Sequence, residues 1–167
     1  MNIATETIKE LRTLSGAGVM ECRNALVKTE GNIPKALEIL KEQSLIKIEK
    51  KKSRVAAQGL IEAYVHTGGR VAALVELNCE TDFVARTPEF KQLAHDIAMQ
   101  VAAMAPQYLM VEDIPAGSLL EPASAALMVQ PFIKDPSLTI KDLVNQLIAK
   151  IGENIKVSRF VRYEVGE

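Results

Sequence analysis

The stretch that most constrains this chain is a Gly-Gly pair set between two strand-like runs. Gly59–His66 and Arg70–Asn78 are rich in β-branched and apolar residues, and Thr67-Gly68-Gly69-Arg70 joins them. Glycines supply the positive φ that tight hairpin turns require, so the pattern predicts an antiparallel hairpin. With Gly68 and Gly69 as a two-residue turn, Tyr64 lies opposite Ala73 and Leu60 opposite Leu77. On the other side Val65 faces Ala72 and Ala63 faces Leu74. Both faces are therefore mostly apolar, and such a hairpin needs cover on both. The chain's own helices can supply one cover, and a second protein is the candidate for the other.

Helix signals follow. Thr81 is placed to cap a short helix over 82–86. Thr87-Pro88 opens a longer one, with proline at the first helical position. Phe90, Leu93, Ile97, Val101 and Met104 step by three and four, which predicts a buried stripe. Residues 106–115 read as irregular or strand-like, 116–129 as a weak helix and 131–137 as a proline-bounded loop. Thr139 and Asp142 are spaced as a capping box before a helix that carries Leu143, Leu147 and Ile151, and Gly152 closes it. Alternation from Ile155 to Val165 predicts a long final strand. Paired with the hairpin it gives a three-stranded antiparallel sheet with helices on one face, an α+β core over residues 59–167.

Upstream the period is helical. Residues 1–44 read as a three-helix bundle. Ile8, Leu11 and Leu14 lie on one face of the first helix; Val19, Cys22 and Leu26 mark the second; Ala36, Leu37 and Leu40 mark the third. Ser15-Gly16-Ala17-Gly18 breaks the first helix from the second, Gly31 ends the second, and Asn32 with Pro34 starts the third. Apolar stripes this narrow have only each other to bury against. Residues 45–58, with Lys47, Lys50, Lys51, Lys52 and Arg54, lose that periodicity and read as an exposed, basic, helical connector.

Composition narrows the function classes. A net charge of −1 over 167 residues provides no global basic field for nucleic acid. The Lys47–Arg54 run could touch phosphates, but it lacks interleaved aromatics for base stacking, so nucleic-acid binding is disfavoured. Cys22 and Cys79 are far apart and in no metal-like spacing, which fits a reduced, cytoplasmic setting. Met1–Glu6 has no basic start followed by an apolar run, so no signal peptide is expected. No segment is long and apolar enough to span a bilayer.

Catalytic chemistry is not apparent. Ser15-Gly16-Ala17-Gly18 has glycines but no Lys-Ser/Thr after them, so it is a turn rather than a phosphate loop. His66 and His95 have no second ligand nearby in sequence. Cys79 is followed by Glu80-Thr81-Asp82, and acidic neighbours disfavour a thiolate. Glu80 with Asp82 does not define an acid–base dyad. No cofactor or metal is expected, and the chain does not read as an enzyme. Phe83 stands apart: a large ring in the first turn of a short helix, between Asp82 and Arg86, where little chain remains to bury it, although composition alone favours a plug in the local core between hairpin and long helix.

At this point the sequence resembles a known family. Glu76-Leu77-Asn78-Cys79-Glu80-Thr81-Asp82-Phe83-Val84-Ala85-Arg86 is similar to the hallmark segment of translation elongation factor Ts, in its short form. Leu11 to Leu26 resembles that family's N-terminal signature. Gln130-Pro131-Phe132-Ile133-Lys134-Asp135 and Gly152-Glu153-Asn154-Ile155 resemble its C-terminal core blocks, and all four occur in family order.

The resemblance implies a guanine nucleotide exchange factor for elongation factor Tu. The N-terminal bundle would be of the ubiquitin-associated type and dock on the G domain through Leu14, Gly18, Val19 and Met20. The core would present Thr81, Asp82, Phe83 and Val84 to the same G domain, with Phe83 in an apolar slot and Asp82 disturbing the magnesium site so that GDP leaves. The partner is then elongation factor Tu bound to GDP, with no nucleotide held by this chain itself. Short members of the family form homodimers, which makes a second copy the expected cover for the sheet. Three rivals stand beside this reading: an interaction adaptor, which gives the Thr81–Val84 segment no purpose; a nucleic-acid binder using Lys47–Arg54; and an enzyme, for which the residues offer no site.

Overall fold

The structure, a computed structural model, describes residues 3–167. Met1 and Asn2, part of the stretch read for a leader, lie outside the described residues. The chain divides into two compact units, the first ending at Lys51 and the second running from Lys52 to Glu167.

The first unit is three helices: α1 (Thr5–Ser15), α2 (Val19–Lys28) and α3 (Ile33–Lys51). Gly16 ends α1 in the left-handed conformation at φ 67°, and its N–H donates to the Arg12 carbonyl. The Asn32 side chain accepts the Lys35 N–H at 3.0 Å, capping α3. Leu11, Cys22, Ala25, Leu26, Ala36 and Leu40 form the buried centre. Two residues depart from the stripes read in the sequence. Leu14 and Val19 sit at the ends of their helices, where α1 and α2 diverge around the turn, and both are exposed. The third helix runs on through the first part of the stretch read as a helical connector. Its lysine-rich second half is continuous helix to Lys51, because straight-chain Lys, Glu and Gln side chains lose little freedom in a helix even without an apolar stripe.

The second unit is built on the sheet. Strands β1 (Gln58–Val65) and β2 (Val71–Cys79) pair antiparallel, with Tyr64 opposite Ala73, Leu60 opposite Leu77, Val65 opposite Ala72 and Ala63 opposite Leu74. The turn closes one step earlier than a Gly-Gly two-residue turn. The Gly69 N–H reaches the His66 carbonyl at 2.9 Å, and Gly68 takes the positive-φ position at 93°. After the one-turn helix α4 (Asp82–Ala85) comes α5 (Pro88–Met104), capped by the Thr87 hydroxyl, which accepts the Phe90 N–H. Phe90, Leu93, Ile97 and Val101 bury against the sheet; Met104, at the end of the stripe, is exposed.

The segment from 105 to 139 is more ordered in places and less helical in others than the sequence implied. The weak helix over 116–129 reduces to α6 (Pro122–Ala125) and a 3₁₀ turn at Leu127–Val129. The loop over 131–137 is a small hairpin of β3 (Pro131–Phe132) and β4 (Asp135–Thr139). Pro136 is tolerated there because β4 is an edge strand with no second neighbour. A buried amide pair pins this region to α5. Gln100 donates to the Gln130 side-chain oxygen at 3.1 Å and to the Pro131 carbonyl at 3.0 Å, and accepts the Ile133 N–H at 3.0 Å.

Helix α7 (Ile140–Ile151) begins with the Thr139–Asp142 capping box and ends at Gly152, at φ 89°. Strand β5 (Lys156–Glu164) then joins the sheet on the free side of β2, giving the order β1-β2-β5. The register slips at Ser158: Leu77 faces Val157, but Glu76 faces Arg159. This bulge inverts the alternation. Val157 faces the helices, whereas Val161 and Tyr163 turn to the opposite face, and Phe160 and Arg162 take the inward positions. Arg162 donates through Nε to the Ala102 carbonyl at the end of α5.

Candidate functional site

The Thr81–Val84 segment sits where β2 leaves the sheet. Cys79 is the last ladder residue, and its buried thiol donates to the Thr81 carbonyl at 3.1 Å. Burial, and then the charge of Glu153, push that thiol above its ordinary pKa, which disfavours the thiolate. Thr81 caps α4, its hydroxyl accepting the Val84 N–H. Within this single turn the side chains part. Val84 and Ala85 are buried, and Phe83 is 77% exposed. Phe83 therefore does not plug the local core between hairpin and long helix, the place that composition alone favours: helix geometry turns Val84 inward and leaves its neighbour outward. Asp82 pairs with Arg86 at 2.8 Å, four residues on, in a solvent-facing ion pair that a partner can break at small cost.

The corner is held by residues to which the sequence reading assigned no role. The Glu153 carboxylate accepts the backbone N–H groups of Glu80 and Thr81 through one oxygen, both at 3.1 Å, and the Thr81 hydroxyl through the other at 2.6 Å. The Glu80 carboxylate in turn accepts the Asn154 N–H at 2.6 Å and faces Arg54 at 3.6 Å. Asn154 spends its side-chain amide on the Arg54 carbonyl at 2.8 Å and the Lys52 carbonyl at 3.4 Å. Two sequence signals pointed here: the Gly152-Glu153-Asn154-Ile155 block, given only as a family resemblance, and two strand-to-corner N–H groups past the ladder that need acceptors.

In the first unit, Leu14, Gly18, Val19 and Met20 gather at the α1–α2 turn. Leu14, Val19 and Met20 are each at least half exposed. Gly18 precedes α2 and gives its N–H to the Glu21 carboxylate at 3.1 Å. Glu21 also pairs with Lys47 of α3, and that bond, followed by the Gly18 N–H, holds its carboxyl below the ordinary range. Three large apolar side chains thus stand clear of the bundle core on one turn that is tied down by its own carboxylate.

A second apolar surface lies on the sheet. The face away from α5 carries Ile61, Ala63, Val65, Leu74, Val161 and Tyr163, and Ile61, Val65 and Tyr163 are each more than 60% exposed. The Arg159–Glu76 ion pair, at 2.6 Å, borders it.

Sites for chemistry are not evident. A shallow groove between α5 and α7 is lined by Leu93, Leu143 and Leu147 and bridged by the Lys150–Glu89 ion pair. His95 meets Glu62 at 2.9 Å beside Tyr64, within the cover of the sheet. Among the described residues, no group of three or more His, Cys, Asp or Glu is arranged to hold a metal ion, and no helix is long and apolar enough to cross a membrane.

Comparison with known proteins gives the family. The model of the family described as Elongation factor TS matches residues 2–124. Elongation factor Ts of Carboxydothermus hydrogenoformans is 46% identical, covering 99% of this chain and 90% of that protein. Elongation factor Ts of Coprothermobacter proteolyticus is 46% identical with both chains covered in full, and that of Thermotoga neapolitana is 45% identical over 100% of this chain and 99% of its own. The alignment with the Coprothermobacter protein runs over 197 positions against 167 residues here, so about 30 positions of that relative face a gap. On the family match and on relatives aligned along nearly their whole length, the chain belongs to the elongation factor Ts family.

Proposed function

We propose that the chain is the guanine nucleotide exchange factor of elongation factor Tu in translation elongation. In this reading it binds the GDP complex of that protein through two surfaces and releases the nucleotide. The single observation that carries the proposal is the outward ring of Phe83 on a corner whose neighbours are buried and hydrogen-bonded.

The mechanism is linkage. Exchange factor and GDP favour different arrangements of one G domain, so each weakens the other by the same factor. Phe83 supplies the apolar wedge. Asp82 leaves Arg86 and brings a negative charge toward the magnesium ion that balances the GDP phosphates in the partner, and disturbing that ion weakens the nucleotide. Thr81 and Val84 hold the turn, one as cap and the other as the buried anchor. Leu14, Gly18, Val19 and Met20 form the second contact, on the bundle, and residues 45–58 link bundle to core. No bond is made or broken, so the chain has no need of a catalytic group. The apolar sheet face supports a further part of the reading: two copies pair through it, and residues 59–167 serve as the dimerisation unit.

The test is release of a fluorescent GDP analogue from elongation factor Tu with and without the protein. Stimulated release that Asp82→Ala weakens supports the proposal. Release at the spontaneous rate, with the protein folded and in excess, refutes it. An adaptor would bind elongation factor Tu without accelerating release.

A further inference from the structure

The block Gly152-Glu153-Asn154-Ile155 has no part in the exchange reading above, yet its Glu153 accepts three hydrogen bonds from Glu80 and Thr81 at the start of the corner. We propose that Glu153 is a positioning residue for nucleotide exchange. Its carboxylate fixes the Thr81 hydroxyl, and through it the helix turn that aims Phe83. The inference rests on the reading of Thr81–Val84 as the segment that meets elongation factor Tu.

The reasoning starts from what α4 lacks. It is four residues long, a single turn, and a single turn does not sustain itself because nucleating it fixes several dihedrals for one hydrogen bond. Its N-terminal bonds are long, 3.4 Å from the Ala85 N–H to the Thr81 carbonyl and 3.5 Å from the Val84 N–H to the Thr81 hydroxyl, whereas the Arg86 and Thr87 N–H groups close the C-terminal end on the Phe83 and Val84 carbonyls at 3.2 and 3.0 Å. Phe83 contributes little burial of its own, so the ring does not hold the corner in place. Buried Val84 and Ala85 anchor the turn from below, and its N-terminal end is the part left for an outside acceptor to set.

Glu153 supplies it. Glu80 and Thr81 lie past the end of the β1–β2 ladder, and their N–H groups find their acceptor in one oxygen of Glu153. The other oxygen takes the Thr81 hydroxyl proton at 2.6 Å. A hydroxyl has one proton and two lone pairs. With the proton committed to Glu153, a lone pair is directed at the Val84 N–H, which is the cap that starts α4. One carboxylate therefore sets both the backbone of the corner and the rotor of its cap. The arrangement is reciprocal, since Glu80 holds the Asn154 N–H and so fixes the segment that presents Glu153. These bonds to a charged acceptor are stronger than neutral ones. They order the wedge before a partner arrives, which removes that cost from the encounter.

The experiment measures GDP release from elongation factor Tu with Glu153→Ala, alone and combined with Phe83→Ala. Melting curves and amide hydrogen exchange are recorded on each variant. We expect Glu153→Ala to lower stimulated release about tenfold, the equivalent of one lost hydrogen bond to a charged group. Glu80 and Thr81 amides should lose protection while the sheet keeps its own. In the Phe83→Ala background the Glu153→Ala change should have a much smaller effect, because most of its action passes through the ring and only the share carried by Asp82 remains; a loss of general stability would instead add in full. Should Glu153→Ala fail to fold, the pair Thr81→Val and Thr81→Ser carries the test. Valine lacks the hydroxyl and serine keeps it, so valine should lose several-fold more exchange. A folded Glu153→Ala with native exchange overturns the inference, as does full additivity with Phe83→Ala, or equal loss in the valine and serine variants. If Phe83→Ala itself keeps native exchange, the reading of the segment fails and this inference falls with it. If only Glu153→Ala is silent, the exchange reading stands and the positioning role alone is lost.

Discussion

Phe83 and Val84 are consecutive residues of one helical turn and face opposite ways, the first into solvent and the second, 7% exposed, into the core beneath the sheet corner. Stability and exchange should therefore separate at this pair. Phe83→Ala removes no core contact and should change stability by no more than about 0.5 kcal/mol, as for other surface positions. Val84→Ala deletes two buried methyl groups and should cost about 1–3 kcal/mol. Urea unfolding of the two variants, read beside their exchange rates, checks the split. Phe83→Ala should be stable and weak in exchange, and Val84→Ala less stable.

Gly59 should tolerate no side chain. It lies at φ 147° opposite Asn78 of β2, and a Cβ there would stand 2.1 Å from the Leu77 carbonyl oxygen and 2.8 Å from the Asn78 Cα. Both obstacles are backbone within the central strand, so neither can swing aside. Gly59→Ala should cost at least about 2–3 kcal/mol through strain and displaced pairing. A fall in the urea midpoint with an unchanged slope is the expected result.

Acid should loosen the molecule, and the sign follows from carboxylates with lowered pKa. Glu76 is held below its ordinary 4.5, first by the hydrogen bond from Arg159 and then by that from Asn78; Glu21 is lowered first by Lys47 and then by Gly18. A depressed carboxyl pKa contributes stability that is present above the unfolded value and lost as pH falls through the folded value. Stability should be level from neutral pH down to about 5 and decline below about 4.5. Equilibrium unfolding at a series of pH values checks this, and Glu76→Gln should flatten part of the decline.

Much of this was legible in the sequence, and the exceptions have physical causes. The hairpin register from Leu60 to Leu77 could be read because the glycine pair fixes the turn region between two strand-like runs. Helix starts at Thr81, Thr87 and Thr139 could be read because each cap is a local bond within three residues. The outward faces of Val161 and Tyr163 were hidden by the bulge at Ser158, since one extra residue flips every side chain beyond it. The β3–β4 hairpin was hidden by its brevity and by Pro136. At the corner, Phe83 stood out as a ring with little chain to bury it, but composition alone favoured a core position, and only the structure turns it outward. Glu153 did not stand out, because its partners lie more than 70 residues away and leave no trace in local spacing.

The proposed pairing of two copies is open to a direct check. The native protein should sediment as a dimer at micromolar concentration. Leu74→Glu, on the apolar face opposite Val161, should give a folded monomer, since a charge at the centre of a dry interface lacks a partner. A native protein that stays monomeric at micromolar concentration and exchanges at full rate would remove the dimer from the proposal.

The most direct measurement is the rate of GDP dissociation from elongation factor Tu at saturating concentration of the native protein and of Phe83→Ala, both shown to be folded. Loss of the wedge should leave complex formation through the bundle surface and reduce the dissociation rate at saturation by at least about tenfold, the weight of a single buried aromatic anchor. Equal rates for the two proteins at saturation would contradict it, and with it the role of the exposed ring.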